Sequence, residues 1–294
     1  MARSGLQQFG GDWTQRKLEA LRKYLVEYTK IMAKQSFETE YIDAFAGTGY
    51  HELKPDAKDE GIFSDYTDSQ VGKFLKGSAK IALEFESSFA RYTFVELSAE
   101  KVRELRALQA QHPGLASRIT IVNEDANQYL MRRSKEDWIK AGRRAVVFVD
   151  PFAMEVNWET VACLGRTKAV DLWLLYPLSA VNRLLARSGQ IDATWKARLD
   201  RHFPDKGWFE KAYAVTRKRD LFQGLDDETH KTANVDSITA YVVEGLRKTF
   251  AGAVDHPMLL TTSTGQPLFL LCFASANPAG APIACRIAKH ILEH

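Results

Sequence analysis

Cysteine is scarce: Cys163, Cys272 and Cys285 are the only three in 294 residues, far apart, with no C-x-x-C pair and no cysteine/histidine ligand spacing. A disulfide framework and a structural zinc site are excluded on those grounds, and the thiols read as reduced. Long apolar runs are missing too, none approaching the roughly 20 residues of a membrane helix. There is no basic-then-apolar leader with a small-residue cleavage site. No membrane partner is expected, and the cytoplasm is the expected location. A strong charge of either sign is also lacking: the formal net charge is +3, too small to establish nucleic-acid binding and not opposed to it. Internal repeats and low-complexity tracts are absent. The remaining composition, 45% hydrophobic and 26% charged, is that of an ordinary globular chain, long enough for one enlarged α/β domain or two small ones.

Within this composition the apolar residues are periodic. Residues 13–34 place Leu18, Leu21, Leu25, Tyr28 and Met32 three and four apart, which predicts an amphipathic helix with Asp12 as its cap. Short β-type runs follow at 40–46, 91–97, 118–123, 145–150 and 169–176, separated by helical patterns at 98–111, 126–140 and 157–166. Strands alternating with helices require a mainly parallel, doubly wound sheet covered on both faces. Near the end, 257–263 and 267–274 are joined by so few residues that only an antiparallel hairpin fits, followed by a helix over 280–293. The expected fold is a Rossmann-like sheet of class I methyltransferase layout with a terminal antiparallel hairpin. Residues 1–176 and 256–294 would form the core, and residues 177–255 a mostly helical insertion or cap. A second insertion occupies 50–90. Eleven Lys/Arg against eight Asp/Glu lie within 183–231, so the cap is expected to carry the basic face.

The chemistry-bearing residues fall at strand ends. In YIDAFAGTG a strand closing on Asp43 is followed by Phe45, Gly47 and Gly49, which leaves bare backbone at the carboxyl edge, where open α/β sheets bind ligands. A dinucleotide reader would show a third glycine opening a helix; here Glu52 stands in that place and Pro55 interrupts the polar stretch after it. An acid beside the loop favours a ligand bearing an ammonium, as S-adenosylmethionine (SAM) does, over one presenting phosphates. The alternative is a tight turn with a solvated Asp. Glu96 ends the second strand, where an acid can accept from ribose hydroxyls. Asp125 follows the third, placed to accept from an adenine amino group or simply to cap the next helix. Asp150-Pro151-Phe152 ends the fourth: a carboxylate and a carbonyl to hold an acceptor N–H, and a ring for stacking. Asp-Pro also ends strands for purely structural reasons.

Together these stretches resemble class I SAM-dependent methyltransferases and, among them, the three-Cys-motif partner protein (TcmP) family. The resemblance rests on WTQRKLEALRKYLVEY, YIDAFAGTG, GSAKIALEFESSFARYTFVEL, VVFVDPFAM and FASANPAGAPIACRIAKHIL. It implies a SAM site at Asp43, Phe45, Gly47, Gly49, Glu96 and Asp125, with Leu97 and Ala126 beside those acids. It also implies a partner protein encoded by a neighbouring three-Cys-motif gene; the cysteines of this chain are unrelated to that name. Amino methyltransferases acting on bases carry [DNS]-P-P-[YFW] at the fourth strand, whereas Ala153 follows Phe152 here and the second proline is missing.

Two functions are expected from these readings. The first is SAM-dependent methyl transfer to an amino nitrogen in DNA or RNA, with Asp150, Pro151 and Phe152 at the reacting amine. Arg183, Arg187, Lys196, Arg198, Arg201, Arg217, Lys218 and Arg219 would hold phosphates. The second is a non-catalytic module of the same fold that binds nucleic acid or a partner protein.

Overall fold

The computed structural model describes residues 12–46, 77–85, 88–151, 153–220 and 224–294. Gly47, Gly49, Phe152 and most of the 50–90 insertion lie outside the described residues. Helix α1 (Asp12–Met32) leads into β1 (Glu38–Asp43); α2 (Ser78–Glu84), β2 (Arg91–Val95), α3 (Ala99–Gln111), β3 (Ile119–Val122), α4 (Ala126–Arg133), β4 (Arg143–Val149), α5 (Trp158–Arg166) and β5 (Val170–Tyr176) then alternate. Next come α6 (Leu178–Leu184), α7 (Ala193–His202), α8 (Trp208–Ala212), β6 (Tyr213–Asp220), β7 (Gly224–Lys231) and α9 (Val235–Thr249). The chain closes with β8 (Gly252–Ala253), β9 (Met258–Thr261), β10 (Pro267–Ser275) and α10 (Ala281–Glu293).

The main sheet runs β3-β2-β1-β4-β5-β10-β8, with β9 also on β10. The first five strands are mutually parallel, whereas β10 is antiparallel to β5, β8 and β9. The doubly wound sheet with a terminal antiparallel hairpin is therefore present. Strand β10 sits inside the sheet, and its far edge is shared by β9 along one half and β8 along the other.

Side chains alternate between two cores because successive strand residues point to opposite faces. On β4, Ala145, Val147 and Val149 join α4 to α9 on one face, while Val146 and Phe148 join α1, α2 and α10 on the other. Each fully buried side chain of this kind contributes about 1.5–3 kcal/mol, so this double coverage holds the strand ends in fixed register.

Three expectations change in detail. The helix predicted over 126–140 stops at Arg133, where the buried Trp138 turns back and donates its indole N–H to the Arg133 carbonyl at 2.9 Å. The segment 177–255 contains, besides its helices, the antiparallel β6–β7 hairpin. Its described residues Leu178, Val181, Leu199, Trp208, Ile238 and Val242 pack in the same cluster as Val147, Leu172 and Leu174. Finally, Leu18 on α1 is only half-buried, whereas Lys17 is 1% exposed.

Candidate functional site

Strand order decides where the strand-end acids meet. From β1 the chain steps outward to β2 and β3, then crosses to β4 and β5 on the other side, so the switch point lies between the carboxyl ends of β1 and β4. Open α/β sheets form their ligand crevice there. Asp43 is level with Phe148 on β4 and Phe94 on β2; Asp150 and Glu96 therefore stand two residues past it on adjacent strands, each about 4.8 Å away laterally. The Glu96 amide continues the ladder to Val122 at 2.9 Å, and Asp125 follows three residues later. Asp43, Glu96, Asp125 and Asp150 thus share one edge of the sheet.

Asp43 is completely buried, and both its carboxylate oxygens lack a hydrogen-bond partner among the described residues. Burial pushes its pKa up to about 7, and the Asp150 charge adds to the rise; Ser78, the Phe45 amide and Lys17 oppose it. Ser78 and Phe45 lie close enough to favour the anion without meeting hydrogen-bond geometry. The Tyr41 hydroxyl is buried in the same nest, its pKa raised first by burial and then by the charges of Asp43 and Asp150.

Lys17 completes this nest from α1. Its ammonium donates to Asp150 Oδ2 at 2.5 Å and sits 5.6 Å from the Trp13 ring centroid and 5.9 Å from that of Phe148. Sequence reasoning missed this residue, although one signal was available. Lys17 falls four residues from both Trp13 and Leu21, on the face of α1 that a solvated lysine would avoid.

Around Glu96 the backbone is pinned. Its Oε1 accepts from the Ser98 amide at 2.6 Å, and Asn123 Nδ2 donates to the carbonyls of Glu96 and Leu97 at 2.9 and 2.7 Å. Leu97 is 67% exposed, an apolar side chain standing free beside the edge. Lys101, also absent from the sequence reading, buries an amine with no hydrogen-bond partner among the described residues. Burial lowers its pKa, and the charge of Glu96 works against that.

Asp125 is the N-cap of α4: its Oδ1 accepts from the Gln128 amide at 3.0 Å. That is the capping alternative left open by the sequence, and it leaves the second carboxylate oxygen for other use. Ala126 is the buried first residue of the same helix. Asn127 ties α4 to the loop after β4, since its Oδ1 accepts from the Asn157 amide and the Thr160 hydroxyl while its Nδ2 donates to the Glu155 carbonyl. Pro151, next to Asp150 after β4, is buried.

The basic residues expected at phosphates are spread over three places. Arg183 and Arg187 line a cleft at the end of α6. Lys196, Arg198 and Arg201 lie on α7. Arg217, Lys218 and Arg219 lie on β6, where the register sets Arg217 opposite Asp227 and Lys218 opposite Asp226.

No family model and no curated protein matches the chain. Solved structures similar to it include a putative methyltransferase, yhhF, from Escherichia coli, at 13% identity and TM-score 0.28, covering 72% of this chain and 87% of that one. A spermidine synthase from Thermotoga maritima shows 12% identity and TM-score 0.30 over 81% and 66% of the two chains. The plantazolicin methyltransferase BamL, solved with a triazolic desmethylPZN analogue and SAH, shows 11% identity and TM-score 0.33 over 90% and 88%. Likeness at this level carries no argument about activity.

Proposed function

We propose that the chain transfers a methyl group from SAM to an amino nitrogen, with nucleic acid as the acceptor. The supporting observation is Asp43: a fully buried carboxylate with no hydrogen-bond partner among the described residues, at the switch point of a doubly wound sheet. Burying such a group costs several kcal/mol unless a cation or donors compensate it. The amino-acid ammonium of SAM is a cation of that kind, so the residues present fit the cofactor. Glu96 would accept from the ribose hydroxyls, the open oxygen of Asp125 from the adenine amino group, and Leu97 would cover the ring.

When bound, SAM supplies a methyl carbon already activated on a sulfonium. The chain's part is alignment and exclusion of water. Lys17 holds Asp150 through Oδ2, which orients the carboxylate. The Asp150 carboxylate and the Pro151 carbonyl would accept from the N–H groups of the incoming amine, which would orient its nitrogen, and the carboxylate would take the proton that the amine gives up on methylation.

The hold of Lys17 on Asp150 also favours the second reading, a non-catalytic module, because that carboxylate is already engaged. One experiment separates the two. Incubation with methyl-labelled SAM and separate DNA, RNA and protein pools should label a nucleic-acid pool. Asp150→Ala should lose at least a hundredfold in turnover with SAM affinity within about twofold of the parent. Full activity in Asp150→Ala would remove the residue from the reaction, and absence of SAM binding to the parent chain would remove the proposal.

A further inference from the structure

Beyond the acidic crevice, a cleft of about 610 Å³ is lined by Asn182, Arg183, Arg187, His230 and Lys231, with no acid among the described residues of its wall. Basic side chains usually lie apart in solvent, so the way this group is built matters. The loop after α6 is fastened to the base of the β6–β7 hairpin. The Lys231 amide donates to the Arg187 carbonyl at 3.0 Å, and the Tyr213 hydroxyl donates to the Ala186 carbonyl at 2.9 Å. Gly189 makes the turn at φ +72°, and a Cβ there would stand 2.6 Å from the Thr229 methyl. The Lys231 ammonium donates to the carbonyl oxygens of Asn182, main chain at 2.8 Å and side chain at 2.7 Å. Burial and the neighbouring Arg187 charge both lower its pKa. Like charges are therefore held close together, and the acceptors of the Lys231 ammonium among the described residues are neutral oxygens.

We propose that this cleft binds a phosphate group of the substrate. An anion with several acceptor oxygens relieves the repulsion between Arg187 and Lys231, His230 offers a ring N–H to the same cleft, and Arg187 offers the fork geometry that phosphate prefers. The position fits a substrate that also reaches Asp150: β5 lies beside β4, and α6 leaves the carboxyl end of β5 after a single residue, Pro177. The phosphate comes either from a polynucleotide backbone or from a free nucleotide. The assignment rests on the methyl-transfer reading only for the word substrate; the cleft itself stands on its geometry.

The test is fluorescence anisotropy of a labelled single-stranded oligonucleotide over a salt series, with adenosine monophosphate and inorganic phosphate as competitors and SAM calorimetry on the same samples. Arg187→Glu and His230→Ala alter side chains at the cleft wall, and thermal melts report whether each variant is folded. Arg187→Glu should weaken oligonucleotide binding about tenfold and lower the salt slope by about one, and His230→Ala should weaken it severalfold. Calorimetric binding of adenosine monophosphate with the same Arg187 dependence, alongside no oligonucleotide binding, supports the cleft with a free nucleotide as its ligand. Unchanged affinity and slope in both variants, or no binding of any phosphate ligand by the parent, overturns the proposal. Loss of the SAM signal with the Arg187 dependence intact overturns methyl transfer and leaves the cleft standing.

Discussion

Asp43 sets two demands against each other at one residue. A carboxylate whose folded pKa is about 7 and whose unfolded value is near 3.9 stabilises the fold in its neutral form. That contribution is complete below the unfolded pKa and is lost as pH rises through the folded one. A shift of about three units corresponds to about 4 kcal/mol. In the ligand-free protein, Asp43→Asn should therefore raise stability at pH 8 by up to about that amount, while SAM binding by calorimetry falls below detection. A variant no more stable than the parent at pH 8, or one that keeps SAM affinity, would count against the orphan carboxylate as the cation's partner. His202 runs the other way. Burial lowers its pKa to about 4, so its contribution is complete above pH 6.5 and is lost as pH falls toward 4. The comparison is accordingly made as parent minus variant, in which His202 cancels.

At the scale of an element, α4 carries two tasks at its first turn. Asp125 caps the helix, and such caps contribute about 1 kcal/mol. Asp125→Ala should lose that in urea melts, whereas Asp125→Ser, which can still cap, should stay within a few tenths. If the open oxygen also serves adenine, both variants should weaken SAM binding alike. Restored SAM affinity in Asp125→Ser would reduce the residue to a cap. Strand β6 sets the basic run Arg217, Lys218 and Arg219 on a hairpin whose partner strand carries Asp226 and Asp227 in backbone register with Lys218 and Arg217. At the base of that hairpin His230 and Lys231 join Arg183 and Arg187 in one cleft.

Over the whole molecule, residues 177–255 are bound into the core through close helix contacts. Gly165 of α5 faces the end of α9: a Cβ there would lie 2.5 Å from the Thr249 carbonyl oxygen. Gly245 of α9 faces Pro204 and Trp158 in the same way, at 2.4 and 2.7 Å. Helix propensity alone makes Gly165→Ala stabilising by about 1 kcal/mol, but overpacking typically costs about 1–3 kcal/mol. Net destabilisation with a lower urea midpoint is expected, and a stabilised variant would show that the two helices separate easily.

The alternation of apolar strands with helical patterns was legible along the chain because a two-residue and a 3.6-residue period are local properties. The terminal hairpin was legible because a loop of a few residues admits only one pairing. Asp43, Glu96, Asp125 and Asp150 could be placed at strand ends on the same local grounds. Local periodicity could not carry the rest. The burial of Lys17 against Asp150 joins residues 133 positions apart, and the early end of α4 depends on where Trp138 finds its core. The basic cleft needs residues from α6, the loop after it and β7 that only the fold brings together. Sequence by itself determined the alternating elements of the main sheet and which acids end its strands, since both follow from nearest neighbours, but not the β6–β7 hairpin. Tertiary structure alone decided which charges are buried, paired or left facing one another, because desolvation and Coulomb energy depend on distances that no spacing along the chain encodes.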